Sequence, residues 1–384
     1  MSLIYLDNAA TTHPKPRRVY EESDSCLRTY CGNPGRSGHP LAMLASEKIF
    51  ECRELVSAFF GSQSPENVIF TQNATYALNM AIKGLLHRGD HVLISDMEHN
   101  SVFRPIASAA KSGYIDYDVF PTVRNGRGMS VDEIRRSILS LIRPGKTRLL
   151  IAAHIPNITS FVRPISMIGD LCRRNGILFI CDAAQSAGHV PIDIKASRID
   201  VLCAPAHKGL FGIQGCGFML LGENCPPLST LVEGGNGVNS LDSDMPELSP
   251  ERFESGTLPT PAIAALAEGI KFLSAIDPKD IRRHEEMLWT RLYGALTSDK
   301  IKAKVYMPEA AGSVLLFNLP SHPADDVGRL LSKRGICIRS GYHCSALGHK
   351  ALGTQDTGAL RASFSVFNTK DDVDALCRAL IDIK

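Results

Sequence analysis

The chain has 384 residues, 44% apolar and 21% charged, an ordinary globular balance with room for two or three units of about 150 residues. Its 42 basic and 40 acidic side chains leave a formal charge of +2, without the basic footprint of a nucleic-acid-binding protein. Eleven cysteines with no Cys-x-x-Cys spacing argue against a disulfide scaffold, a structural zinc site and a dithiol redox motif.

The N-terminal stretch MSLIYLDNAATT has no basic segment and carries Asp7, unlike a secretory signal. Apolar runs such as 149–153 fall far short of the roughly 20 residues that span a bilayer. These features predict a cytoplasmic protein with free thiols and no membrane partner.

From residue 68 the chain alternates. Strands are predicted at 68–70, 91–94, 115–119, 148–153, 177–181, 200–204 and 217–220. Helical spacing marks 75–86, 102–111, 131–142 and 165–174. Such alternation predicts a mainly parallel sheet covered on both faces, with ligands bound beyond the carboxyl ends of its strands. Residues 223–259, rich in Gly, Pro, Ser and Asn, read as a long loop. A smaller α+β unit follows, with helices predicted at 262–276, 281–296, 324–333 and 371–383 and strands at 305–306, 314–318 and 336–338.

Several residues could carry chemistry. Lys208 follows a strand and precedes a Gly-rich segment. Desolvated there, it could form a Schiff base with an aldehyde, although a lysine snorkelling before a turn would look the same. Asp182 ends the apolar run ILFICD, where it could pair with a protonated ring nitrogen, or cap the next helix or make a structural salt bridge. Asn73, Ala74 and Thr75 open a helix after a strand, either as an anion site or as a plain cap. His99 could stack on a flat ring or be a loop histidine; Asn157 and Gln185 could bond a ring hydroxyl or be turn residues.

Cys344 lies in the glycine-containing stretch IRSGYHCSALGHK, which reads as a flexible loop. Neighbouring His343 and nearby Arg339 would favour its thiolate; the alternative is an inert cysteine. Arg361, on an alternating run, could fork a carboxylate or make a surface ion pair. Each residue alone is ambiguous, but Thr75, His99, Asn157, Asp182 and Lys208 all fall just beyond successive predicted strands, where an α/β sheet gathers its site.

The chain resembles the cysteine desulfurases of the class V aminotransferases, which are fold-type I enzymes dependent on pyridoxal 5'-phosphate. The resemblance is carried by YLDNAATT (5–12), GNPGRSGH (32–39), NATYALN (73–79), MEHNS (97–101), NIT (157–159), DAAQSAG (182–188), HKG (207–209), RFESGT (252–257), RSGYHC (339–344) and RASFSVFNT (361–369), in order over essentially the whole chain. It implies a large α/β domain at 15–258 with a mainly parallel seven-stranded sheet. A small α+β domain, formed by 1–14 and 259–384, would carry the cysteine loop.

The resemblance further implies that Lys208 is the Schiff-base lysine and that Asp182 pairs with the ring nitrogen. Gln185 and Asn157 would lie near the ring oxygen, and His99 would stack on the ring. Ala74, Thr75 and His207 would hold the phosphate with Thr257 of the other subunit in a homodimer. Arg361, assisted by Arg339, would bind the carboxylate of L-cysteine. Cys344 would take the sulfur as a persulfide, release alanine, and pass the sulfur to an acceptor protein. The chain departs from the family at Pro205, where relatives often carry a phosphate-binding Ser or Thr, and at Ser160, where glycine is common. Selenocysteine lyase, a class V aminotransferase, and a cofactor-free binding protein on the same fold stay open as alternatives.

Overall fold

The computed structural model describes residues 3–35 and 38–383. Arg36 and Ser37 of the GNPGRSGH stretch lie outside the described residues. The chain opens with β1 (Ile4–Tyr5), α1 (Arg17–Thr29) and α2 (Pro40–Phe59). The alternating region runs β2 (Val68–Thr71), α3 (Ala74–Leu85), β3 (His91–Ser95), α4 (Asn100–Lys111), β4 (Asp116–Phe120), β5 (Val123–Arg124), β6 (Arg127–Gly128), α5 (Val131–Leu139), β7 (Thr147–Ala153), α6 (Ile165–Arg174), β8 (Leu178–Asp182), β9 (Val201–Pro205) and β10 (Gly217–Leu221). After an irregular stretch come α7 (Thr260–Ser274), α8 (Pro278–Thr297), β11 (Lys304–Tyr306), β12 (Val314–Asn318), α9 (Ala324–Lys333), β13 (Ile336–Cys337), β14 (Arg339–Gly341), α10 (Ala346–Leu352), β15 (Ala359–Ser363) and α11 (Lys370–Ile383).

Seven strands form one sheet in the order β2-β10-β9-β8-β7-β3-β4. All neighbouring pairs are parallel except those of β10, which runs antiparallel to β2 and β9. The central strands are continuous apolar runs because helices cover both faces. Alternation along them divides two cores. Phe70, Leu150 and Ala152 pack against α2, α5, α6 and α7, whereas Ile69, Leu149 and Ile151 pack against α3 and α4. The expectation of a mixed α/β fold with a mainly parallel central sheet is borne out.

The second sheet is antiparallel, in the order β11-β12-β15-β14. Leu288, Trp289, Phe317, Leu331 and Leu380 join α8, α9 and α11 to it in a separate core, and Trp289 Nε1 donates to the Val314 carbonyl at 3.1 Å. Helix α7 packs instead beneath the seven-stranded sheet, through Ile263 and Leu266.

Two features depart from the sequence reading, while 223–259 is irregular as expected. Helices α1 and α2 are not predicted; on α2, Met43 and Phe50 are exposed while Ala45 and Ile49 are buried, which blurs the amphipathic stripe. The stretch read as a flexible cysteine loop contains β14 and α10. The long loop is fastened by a buried pair: Glu254 Oε1 accepts from Arg53 Nη1 at 2.9 Å and from the Phe70 amide at 2.6 Å.

Candidate functional site

The carboxyl ends of β2, β3, β7, β8 and β9 open into one cleft of about 530 Å³, mouth included. Ala74, Thr75, His99, Asn157, Asp182, Gln185, His207 and Lys208 all line it, with Pro205 among them. A larger hollow of about 1130 Å³, lined by Arg173, Lys195, Arg198 and Asp200, lies at the amino ends of β8 and β9, away from these residues. No group of three or more side chains suited to a metal occurs among the described residues.

Lys208 follows β9 on a turn whose carbonyl accepts from Thr12 Oγ1 at 2.7 Å. Desolvation above all, and then the Arg361 charge, lower its pKa from 10.5 to about 8. The turn needs Gly209, because a Cβ there would lie 2.3 Å from the Ala187 carbonyl oxygen of the DAAQSAG turn.

Asp182, 3% exposed at the end of β8, accepts one amide at Oδ1, that of Ala184 at 2.9 Å. Burial raises its pKa, opposed by that hydrogen bond and by the Lys208 and Arg163 charges. No ion pair to it occurs among the described residues, and its hydrogen bond to the amide two residues on is that of an Asx turn.

His99 caps α4: its Nδ1 accepts from the Ser101 amide at 3.1 Å, and burial, then the Lys208 charge, lower its pKa to about 4. It is therefore neutral at physiological pH. Asn73 caps α3 by accepting from the Tyr76 amide at 3.0 Å, leaving the first-turn amides of Ala74 and Thr75 facing the cleft. Gln185 is turned away from a free role, its Nε2 donating to the Ala9 carbonyl at 2.8 Å. Buried Asn157 Oδ1 and His207 Nδ1 have no partner among the described residues. Unpaired buried polar atoms on a cleft wall are what a polar ligand would satisfy.

Arg361, Arg339, Cys344 and Thr257 do not line this cleft. Arg361, 1% exposed, borders it: its Nη1 donates to the Asn157 carbonyl at 2.9 Å and its Nη2 pairs with Asp7 at 2.8 Å. Arg339 stands opposite Arg361 in the β14–β15 register, and its Nη2 lies 3.9 Å from Cys344 Sγ. Cys344 is exposed, and its carbonyl accepts from the Asn100 amide at 2.8 Å. Asn157 Nδ2 donates to the His343 carbonyl at 2.5 Å, tying the cysteine segment to the cleft wall.

His343 does not act on the thiol as expected: it is buried against His349, and burial lowers its pKa to about 2, so it brings no positive charge. Thr257 is exposed.

Sequence reasoning passes over three residues here. Asp7, in the quoted YLDNAATT, is the partner of Arg361. Glu98 and Arg163 form a fully buried pair behind Asp182, holding the amide and carbonyl of Ala153, the register partner of Asp182. A charged residue three positions beyond a buried strand, as Glu98 is beyond β3, was the available signal.

The model of the family described as aminotransferase class-V matches residues 4–376. A relative from Methanothermobacter thermautotrophicus, named a probable cysteine desulfurase, is 31% identical over 99% of this chain and 94% of its own. One of the same name from Halalkalibacterium halodurans is 32% identical over 98% and 92%. An apo structure of a cysteine desulfurase from Thermococcus onnurineus NA1 superposes with a TM-score of 0.88 at 28% identity, covering 99% of this chain and 94% of that one. The chain belongs to the aminotransferase class-V family and groups there with the cysteine desulfurases.

Proposed function

We propose that this chain is a cysteine desulfurase that uses pyridoxal 5'-phosphate to convert L-cysteine to L-alanine. The observation that carries the reading is a lysine of lowered proton affinity sharing one cleft with a buried carboxylate that has no ion-pair partner among the described residues, beside a cysteine whose Sγ lies 3.9 Å from Arg339 Nη2. The residues present fit the cofactor. Lys208 offers an amine, Asp182 an anion for a ring nitrogen, Asn157 Oδ1 a polar contact near the ring oxygen, with Gln185 beside it bound to the Ala9 carbonyl, and His99 a neutral ring for stacking. Ala74, Thr75 and His207 would hold the phosphate, with Thr257 reaching over from the second subunit of a homodimer. Pro205 contributes no hydroxyl there.

Pyridoxal phosphate supplies the electron sink for the substrate α-carbon. The chain does the rest. Arg361, with Arg339, binds the substrate carboxylate. The Lys208 amine takes the α-proton, which its lowered pKa permits near neutral pH. Asp182 holds a proton at the ring nitrogen. Cys344 Sγ, having given up its proton, attacks the substrate sulfur; the carbon–sulfur bond breaks, its electron pair returns to carbon, which takes up a proton to become the methyl group of alanine, and a persulfide remains on Cys344. An acceptor protein then receives the sulfur. No helix among the described residues is long and apolar enough to cross a membrane. Its eleven unpaired thiols fit the reducing cytoplasm. The domain division at 15–258, with 1–14 and 259–384, stays our proposal, α7 packing with the first unit.

The test is spectroscopic and chemical. Purified protein supplied with pyridoxal phosphate is expected to be yellow, borohydride to fix the group on Lys208, and cysteine to add one sulfur to the Cys344 peptide. A colourless protein would reject the cofactor; full-rate sulfide release by Cys344→Ala with reductant present would reject the nucleophile.

A further inference from the structure

The segment that carries Cys344 is bent against its own preference. His343 and Cys344, neither a glycine, both adopt left-handed backbone angles, with φ of 52° and 55°. Such angles cost energy in non-glycine residues and persist only where the surroundings impose them. Here the surroundings are a buried polar ladder. His343 Nδ1 lies 3.2 Å from His349 Nε2, the two rings within 10° of parallel, and His349 Nδ1 lies 2.7 Å from Thr354 Oγ1. All three residues are at most 3% exposed.

Donor bookkeeping fixes the direction. A neutral imidazole has one N–H. Thr354 Oγ1 donates to His349 Nδ1, His349 Nε2 donates to His343 Nδ1, and His343 Nε2 faces the Arg339 carbonyl at 3.5 Å. Only this arrangement leaves every ring nitrogen with a suitable partner. The Thr354 hydroxyl also lies 3.4 Å from the His349 carbonyl, a second acceptor for its proton. Burial keeps both rings neutral by lowering their pKa values. The charged groups facing the ladder, Arg339 and Arg361, act in the same direction on His343.

We propose that Thr354, His349 and His343 form a positioning device that holds Cys344 in the orientation required for sulfur transfer. The ladder sits behind the backbone of Cys344, while Asn157 and Asn100 grip the same segment from the cleft side, at the His343 and Cys344 carbonyls. His349 and Thr354 touch neither the cleft nor the thiol, so their effect passes through the backbone alone. The proposal rests on the reading of Cys344 as the sulfur acceptor.

The experiment uses holoenzyme with L-cysteine as substrate and compares His349→Phe, His349→Gln, Thr354→Val and Cys344→Ser. His349→Phe keeps the ring stack and loses both polar rungs; His349→Gln retains an amide donor toward His343. A displacement near 1 Å can cost on the order of a hundredfold in rate, so a partial loosening is expected to lower kcat about tenfold in His349→Phe. KM should stay within about twofold, because the carboxylate site is untouched. Thr354→Val, which removes only the outer rung and threatens folding least, should lower kcat about threefold, and His349→Gln should keep most of the rate. Amide exchange over 342–346 should quicken in proportion. Full kcat in His349→Phe or Thr354→Val, or equal losses in His349→Phe and His349→Gln, would overturn the ladder. If His349→Phe does not fold, Thr354→Val and His349→Gln decide. Full turnover by Cys344→Ser would overturn the underlying reading instead, whereas an inactive Cys344→Ser beside a fully active Thr354→Val would overturn the ladder alone.

Discussion

Lys208 should weaken the fold that holds it. Its pKa falls from 10.5 to about 8, mainly because the site strips water from the ammonium and secondly because Arg361 repels it. At about 1.4 kcal/mol per tenfold change in proton affinity, this corresponds to roughly 3 kcal/mol. Between pH 8 and 10.5 the unfolded chain binds the proton and the folded one does not, so stability rises with pH across that window. Below pH 8 the folded state carries the partly desolvated charge and the full penalty applies. Replacing Lys208 by Met in cofactor-free protein should therefore raise stability by about 3 kcal/mol at pH 7, and the gain should vanish above about pH 10.5. Urea unfolding of both proteins from pH 7 to 11 measures this. A variant no more stable than the parent at pH 7, or a gain independent of pH, would refute the claim that this amine is held desolvated.

Arg361→Lys should raise KM for cysteine by about tenfold to a hundredfold, since a lysine cannot reproduce a forked, charge-assisted contact worth roughly 1.5–3 kcal/mol. Initial rates of alanine formation give the answer, and an unchanged KM would place the carboxylate elsewhere. Glu254→Gln leaves the Arg53 guanidinium buried without its counterion and should cost about 3–5 kcal/mol in urea unfolding, with faster proteolysis of the 223–259 loop.

Much of the site was legible because the chain alternates. Lys208, Asp182, His99, Asn157 and Thr75 each follow a run that becomes a strand of the large sheet, and a parallel sheet brings such ends together whatever the details of packing. Other parts depend on contacts between distant positions. Asp7 and Arg361 are 354 residues apart, and Asn157 reaches His343 across 186. His343 looked like a companion to the thiol because it is the next residue, yet the left-handed turn sends its ring inward to His349. The cysteine stretch looked flexible from its glycines, but buried hydrogen bonds, invisible to local propensity, order it.

What the sequence determined by itself is the succession of apolar runs and helical spacings, and with it the edge of the sheet where polar residues gather. That information is local, carried by periodicity. The tertiary structure alone decided the chemistry of those residues. The lowered proton affinity of Lys208, the isolation of Asp182 and the pairing of Arg361 with Asp7 all arise from exclusion of water and from charges brought near by folding, and neither is a property of any short segment.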